Sequence, residues 1–315
     1  MLDNNTPPEV EPRRSALVSI FISTNEQRLR AGWRMVIQTL LMFLVSFCIG
    51  IPAFVVPMLL QTPPHALLPP EMNMSEWLTA QAVELLAITI SVFIARRFLD
   101  KRSIASLGLR WDNQAILDLL VGFLITFIQF MLIYGIMFAL GWVQITGYAW
   151  HAATLQSVLA NTLLVLVLFI MVGWSEELLF RGYHLQTLGS GLNLSWGVIL
   201  SSGIFGVMHI LNPGATWVSN LGIFTAGLFL AFGYLCTKQL WLPIGLHIGW
   251  NFFEGVVFGF PVSGLDTFRL IENTITGPQV WTGGAFGPEA GLIILPALFF
   301  GMVLVYGYSF LKKSG

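Results

Sequence analysis

Eight apolar stretches dominate the chain: 35–60, 77–95, 116–140, 160–188, 194–211, 219–237, 240–260 and 289–311. Each is close to the roughly 20 residues that carry an α-helix across the hydrocarbon core of a bilayer. Lipid offers no hydrogen bonds to a backbone, so stretches of this kind must satisfy their own N–H and C=O groups as helices. Of 315 residues 56% are hydrophobic and only 10% charged, a balance that excludes a soluble domain of this size. The expected fold is all-α, a polytopic membrane bundle of about eight transmembrane helices.

Basic residues give the expected orientation, because Lys and Arg accumulate in cytoplasmic loops. Arg13, Arg14, Arg28, Arg30 and Arg34 precede the first stretch, and Arg96, Arg97, Lys101, Arg102 and Arg110 lie between the second and third. Lys238 lies between the sixth and seventh, and Lys312 and Lys313 follow the last, whereas Arg269 alone falls in a loop assigned outside. Both termini are therefore expected in the cytoplasm. Residues 1–34 carry Pro7, Pro8 and Pro12 but no apolar core of a signal peptide, and read as a cytoplasmic tail. Residues 35–154 read as a three-span scaffold, 155–260 as a four-span core, and 261–315 as an outer loop with the last helix. Neither that loop nor the Pro-rich one, 61–76, has a strong strand pattern, though the former is long enough to cap the bundle. A net charge of −1 gives no reason to expect a nucleic-acid partner. Cys48 and Cys236 lack the spacing of a disulfide or metal cluster and read as packing residues.

Against this background, ionisable groups at bilayer depth are costly and mark function or pairing. Glu176, Glu177 and Arg181 lie in Glu-Glu-Leu-Leu-Phe-Arg, with Glu177 and Arg181 at the i, i+4 spacing that lets opposite charges meet. Glu176 points about a third of a turn away and stays free for chemistry. Phe205 and His209 stand one turn apart in Phe-Gly-Val-Met-His, as do His247 and Asn251 in His-Ile-Gly-Trp-Asn. Helix rise places the three motifs at compatible depths, so one shared site is feasible. A carboxylate in an apolar site can take a proton from water as a general base. Glu176 would be that base, helped by His209, while His247 and Asn251 offer donors to an oxyanion. Glu84 and Glu254 are further carboxylates without an evident cation. His65, His151 and His184 are assigned to membrane surfaces.

These motifs, EELLFR, FGVMH and HIGWN, resemble the CPBP family of intramembrane proteases, which includes the Ras-converting CAAX prenyl endopeptidases and bacteriocin-processing or lysostaphin-resistance relatives. The resemblance covers roughly residues 155–260. It implies a metal-free glutamate-dependent endopeptidase, with Glu176 and His209 activating water, His247 and Asn251 stabilising the oxyanion, and Glu177, Arg181 and Phe205 in support. The implied partners are a lipid bilayer and a peptide or protein substrate, prenylated or not, and no cofactor. A bacterial cytoplasmic membrane is the expected location. Two other readings stay open on the residues alone. Glu176, His209 and His247 could form a two-His, one-carboxylate zinc site, although no HExxH is present. Buried Glu, His and Arg also mark proton relays, so a transporter, or an adaptor without catalysis, is a reading of a different class.

Overall fold

The computed structural model describes residues 20–23, 27–55 and 73–314. Most of the tail 1–34, nearly all of the Pro-rich loop 61–76, and His65 lie outside the described residues. The observed helices are α1 (Ala31–Gly50), α2 (Met74–Ile94), α3 (Asn113–Ala139), α4 (Leu155–Glu177), α5 (Leu185–Gly191), α6 (Leu194–Met208), α7 (Trp217–Thr237), α8 (Trp241–Asn251) and α9 (Ile294–Ser314). Further single turns lie between them. A π-helical segment, Leu178–His184, joins α4 to α5, and another, Phe252–Val257, extends α8. The protein is an integral, multi-pass helical membrane protein.

Six helices among the described residues are long and apolar enough to cross a membrane, the longest being Leu155–Gly191 with 37 residues. The expected spans 194–211 and 240–260 are present as helices but are shorter than expected. With 15 residues, α6 rises only about 22 Å, less than the roughly 30 Å thickness of the hydrocarbon core. His209 consequently caps α6 instead of lying within a continuous helix. The expectation of strand-free loops is also corrected. Residues Val143–Tyr148 (β1) pair antiparallel with Ile271–Ile275 (β2), inside the 261–288 loop. Their alternation is short, and the partners are more than 120 residues apart, which hides the pairing from local pattern reading.

Basic residues assigned to one side of the membrane gather at one end of the bundle. Arg34 and Arg96 both pair with Asp100, and Arg96 also donates to the Gln186 side chain at 2.8 Å. The Arg110 backbone N–H donates to Gln239, and Lys312 pairs with Asp118 at 2.8 Å. These bonds tie α1, α2, α5, the start of α8 and both partners of the α3/α9 pair into one polar layer. The β1/β2 sheet and the 261–288 loop belong to the connections assigned to the opposite side.

Small residues bring the site-bearing helix close to its neighbour. Gly245 and Gly122 let α8 lie directly on α3: a Cβ at Gly245 would collide with the Leu119 backbone carbonyl, and one at Gly122 with that of Leu242. Close backbone approach through small residues is how membrane helices gain dispersion contacts when lipid removes the hydrophobic drive for association. Bulkier Phe130, Leu246, Trp250 and Phe253 fill the space around this contact, with the Phe130 and Trp250 rings 4.7 Å apart edge to face. Gly245→Ala therefore forces the two helices apart, and we expect it to cost about 1–3 kcal/mol, as overpacking does. A thermal melt in detergent checks this, and an unchanged midpoint would contradict the packing described here.

Candidate active site

The Glu176–Glu177 pair sits where α4 gives way to π-helical geometry at Leu178. Adjacent helical residues diverge by about 100°, so the two carboxylates face different surroundings. Glu177 points inward and is fully buried, and its Oε1 accepts hydrogen bonds from Arg181 Nη1 at 2.6 Å and His247 Nδ1 at 2.8 Å. Arg181 also donates through Nη2 to the Gly227 carbonyl at 3.0 Å, and its guanidinium lies 4.5 Å from the centre of the Phe205 ring. The two residues meet as the i, i+4 spacing predicts, and both are almost completely buried.

Glu176 faces the other way, into a cavity of about 490 Å³ that it lines together with His209, His247 and Asn251. The three motifs thus converge on one space. Because Glu177 accepts from His247, Nδ1 carries a proton, which turns Nε2 toward the cavity side, 3.6 Å from Glu176 Oε2. His209 is fixed in the same manner: its Nδ1 bonds the Phe205 carbonyl at 2.8 Å, so Nδ1 is the donor and Nε2 the nitrogen left for chemistry. Phe205 packs edge to face on His209 at 4.9 Å and on His247 at 6.1 Å. It thereby contacts two histidines and the arginine at once.

Other expected polar residues separate. Glu84 lines the cavity, whereas Glu254 is fully buried behind it and absent from its walls. His184 corrects the sequence assignment. It is only 6% exposed and packs against Phe180 and Tyr183, because the π-helical turn rotates it into the bundle rather than to the membrane surface. His151 is exposed, as assigned.

Sequence reasoning missed the far wall. Ser263 and Glu289 line the cavity opposite the motifs, and Glu289 is only 4% exposed. Its Oε1 accepts from Trp250 Nε1 at 3.0 Å, while Oε2 accepts from the Ser263 N–H at 2.8 Å and the Ser263 hydroxyl at 2.6 Å. Burial holds the Glu289 carboxyl above the usual carboxylate range, against the opposing pull of the Ser263 hydrogen bonds. The one available signal was an acidic residue counted inside the apolar run 289–311. Asp266 and Thr267 also reach the cavity, so the 261–288 loop forms part of its wall.

Among the described residues no three His, Cys, Asp or Glu side chains are grouped so as to hold an ion. The Nδ1 atoms of His209 and His247 are committed to protein acceptors, which leaves the Nε2 of each as the nitrogen open to a ligand or a proton.

Fold and cavity together define a multi-pass membrane protein with a cluster of glutamate and histidine side chains around a buried cavity. Residues 158–253 match the family described as type II CAAX prenyl endopeptidase Rce1-like, a segment that contains all three motifs. That segment is therefore similar to the Rce1-like family, in line with the resemblance carried by the motifs. Over 135 residues the chain is 30% identical to the Bacillus subtilis (strain 168) protein named "Putative membrane peptidase YdiL", covering 42% of this chain. The match spans about half, 51%, of that relative's length. No solved structure matches the chain.

Removing Arg181 would leave the buried Glu177 without its guanidinium partner, and with His247 Nδ1 alone on Oε1. Arg181→Met should destabilise the protein by about 3–5 kcal/mol, the usual cost of breaking a buried pair. Arg110→Ala breaks only the exposed pair with Asp112 and should move stability by less than about 0.5 kcal/mol. Comparing the two denaturation midpoints in detergent checks the contrast, and equal effects would contradict it.

Proposed function

We propose that this protein is an intramembrane endopeptidase in which Glu176 activates water for attack on a peptide bond. The observation that carries the reading is the position of Glu176: it lines the cavity, with its Oε2 3.6 Å from His247 Nε2 and without a hydrogen-bond partner among the described residues. A buried carboxylate oxygen that no donor satisfies is suited to hold a reacting water.

Charge conservation supports this assignment of roles. Glu177 and Arg181 cancel, which leaves Glu176 to balance a doubly protonated His247. As Glu176 takes a proton from water, negative charge moves to the carbonyl oxygen of the tetrahedral intermediate. The imidazolium Nε2–H of His247 and the Asn251 amide donate to that oxygen, so the site stays neutral throughout. His209 Nε2 accepts the water's second hydrogen as a hydrogen bond and orients it. Glu176 then returns its proton to the leaving amine as the C–N bond breaks. No step requires a metal.

The surroundings of the site support a substrate class. The cavity combines the polar groups with apolar walls from Met42, Met74, Trp77, Leu168 and Phe169, which suits a peptide carrying or adjoining a hydrophobic group. We assign the substrate to CAAX-type prenylated or other membrane-associated peptides and the location to a bacterial cytoplasmic membrane. Both termini would face the cytoplasm, consistent with the basic layer at one end of the bundle.

The test is cleavage of quenched fluorescent prenylated and unprenylated CAAX peptides by purified protein in detergent. Glu176→Gln should lower the rate by at least about a hundredfold, the scale of a lost general base, while a strong chelator leaves wild type active. Loss with chelator and restoration by zinc would instead place Glu176, His209 and His247 around a metal. Full activity of Glu176→Gln would overturn the reading.

A further inference from the structure

Two halves of the proposed site lie on separate segments: His209 at the end of α6, and His247 with Asn251 on α8. Their separation has to be fixed for a water beside one half to reach a carbonyl held by the other, because misplacement by about 1 Å can cost two orders of magnitude in rate. One hydrogen-bonded chain connects them. Trp250, immediately before Asn251, donates to Glu289 at 3.0 Å, and Glu289 accepts both donors of Ser263. The Ser263 carbonyl in turn accepts from Asn212 Nδ2 at 3.0 Å, in the turn that follows His209. Glu289 is held from behind as well, since Gly222 brings α7 directly against its backbone carbonyl.

We infer that Glu289 is a positioning residue: by joining Trp250 to Ser263 and Asn212, it sets the distance between the His209 and His247–Asn251 halves of the site. The inference rests on the proposed roles of those halves. A carboxylate is the side chain that fits, because it accepts three donors at once and supplies none. Glutamine would aim an amide N–H at either Trp250 or Ser263 and break the chain at that point. Trp250→Phe removes the indole donor while retaining an aromatic ring against Phe130.

The experiment compares wild type, Glu289→Gln, Trp250→Phe, the double variant and Glu176→Gln on the prenylated CAAX peptide, with size exclusion and thermal melts to confirm folding. Each single variant should lower kcat about 10- to 100-fold, with KM changed less than about twofold. The double variant should be no worse than the poorer single one, since both break the same chain. Unchanged kcat in folded Trp250→Phe, or fully additive losses, overturns the inference. So does a rise in KM with kcat intact, which would make Glu289 a substrate contact. If Glu289→Gln fails to fold, Trp250→Phe decides alone. An inactive Glu176→Gln beside fully active, folded Glu289→Gln removes only this inference. An active Glu176→Gln, or a wild type that cleaves no peptide, removes the proposed function and this inference with it.

Discussion

One carboxylate oxygen organises the core of this protein. Glu177 Oε1 receives both Arg181 and His247, from two helices, at a depth where an isolated ion would cost several kcal/mol. The arginine makes the carboxylate tolerable, and the carboxylate holds a proton on His247 Nδ1 and fixes the orientation of the ring. Arg181 spends its remaining capacity on the Gly227 carbonyl of α7 and the face of Phe205. In this way α4, α6, α7 and α8 meet at one ion pair. Glu176, next in the chain to Glu177, faces the cavity and the Nε2 side of His247 instead of the Arg181 guanidinium.

The helix geometry around that pair is unusual at two corresponding places. Immediately after Glu177 the chain passes from α- to π-helix, and immediately after Asn251 it does so again. Widened turns of this kind often accompany functional sites, because they re-aim side chains that a regular helix would place elsewhere. Here the first one buries His184, and the second places Glu254 inside the bundle. The 261–288 loop completes the arrangement by bringing Ser263 and Asp266 to the cavity. A site assembled from short motifs on three helices thus acquires its far wall from a connection outside them.

Much of this was legible in the sequence, for definite reasons. Helical spans announce themselves because bilayer thickness sets their length, and the Glu177–Arg181 contact follows from helical periodicity alone. Depth counting was sufficient to bring Glu176, His209 and His247 to one level. It could not show that α6 stops after 15 residues, since composition continues to read as apolar through Ile210 and Leu211. Nor could it find Glu289, whose partners Trp250 and Ser263 are 39 and 26 residues away with no periodic relation between them. His184 was misplaced for the related reason that a π-helical turn changes the facing of residues without leaving a mark in the hydrophobic pattern. Local periodicity reports faces of regular helices, while the remainder depends on long-range hydrogen bonds.

The central claim, that Glu176 activates water and forms no bond to the substrate, is tested most directly by a single turnover in oxygen-18 water. Mass spectrometry would then be applied to both the peptide product and the enzyme fragment containing Glu176. The account predicts one heavy oxygen in the new peptide carboxylate and none in Glu176. Heavy oxygen in the Glu176 carboxylate would show that it attacks the carbonyl itself, and would contradict the mechanism.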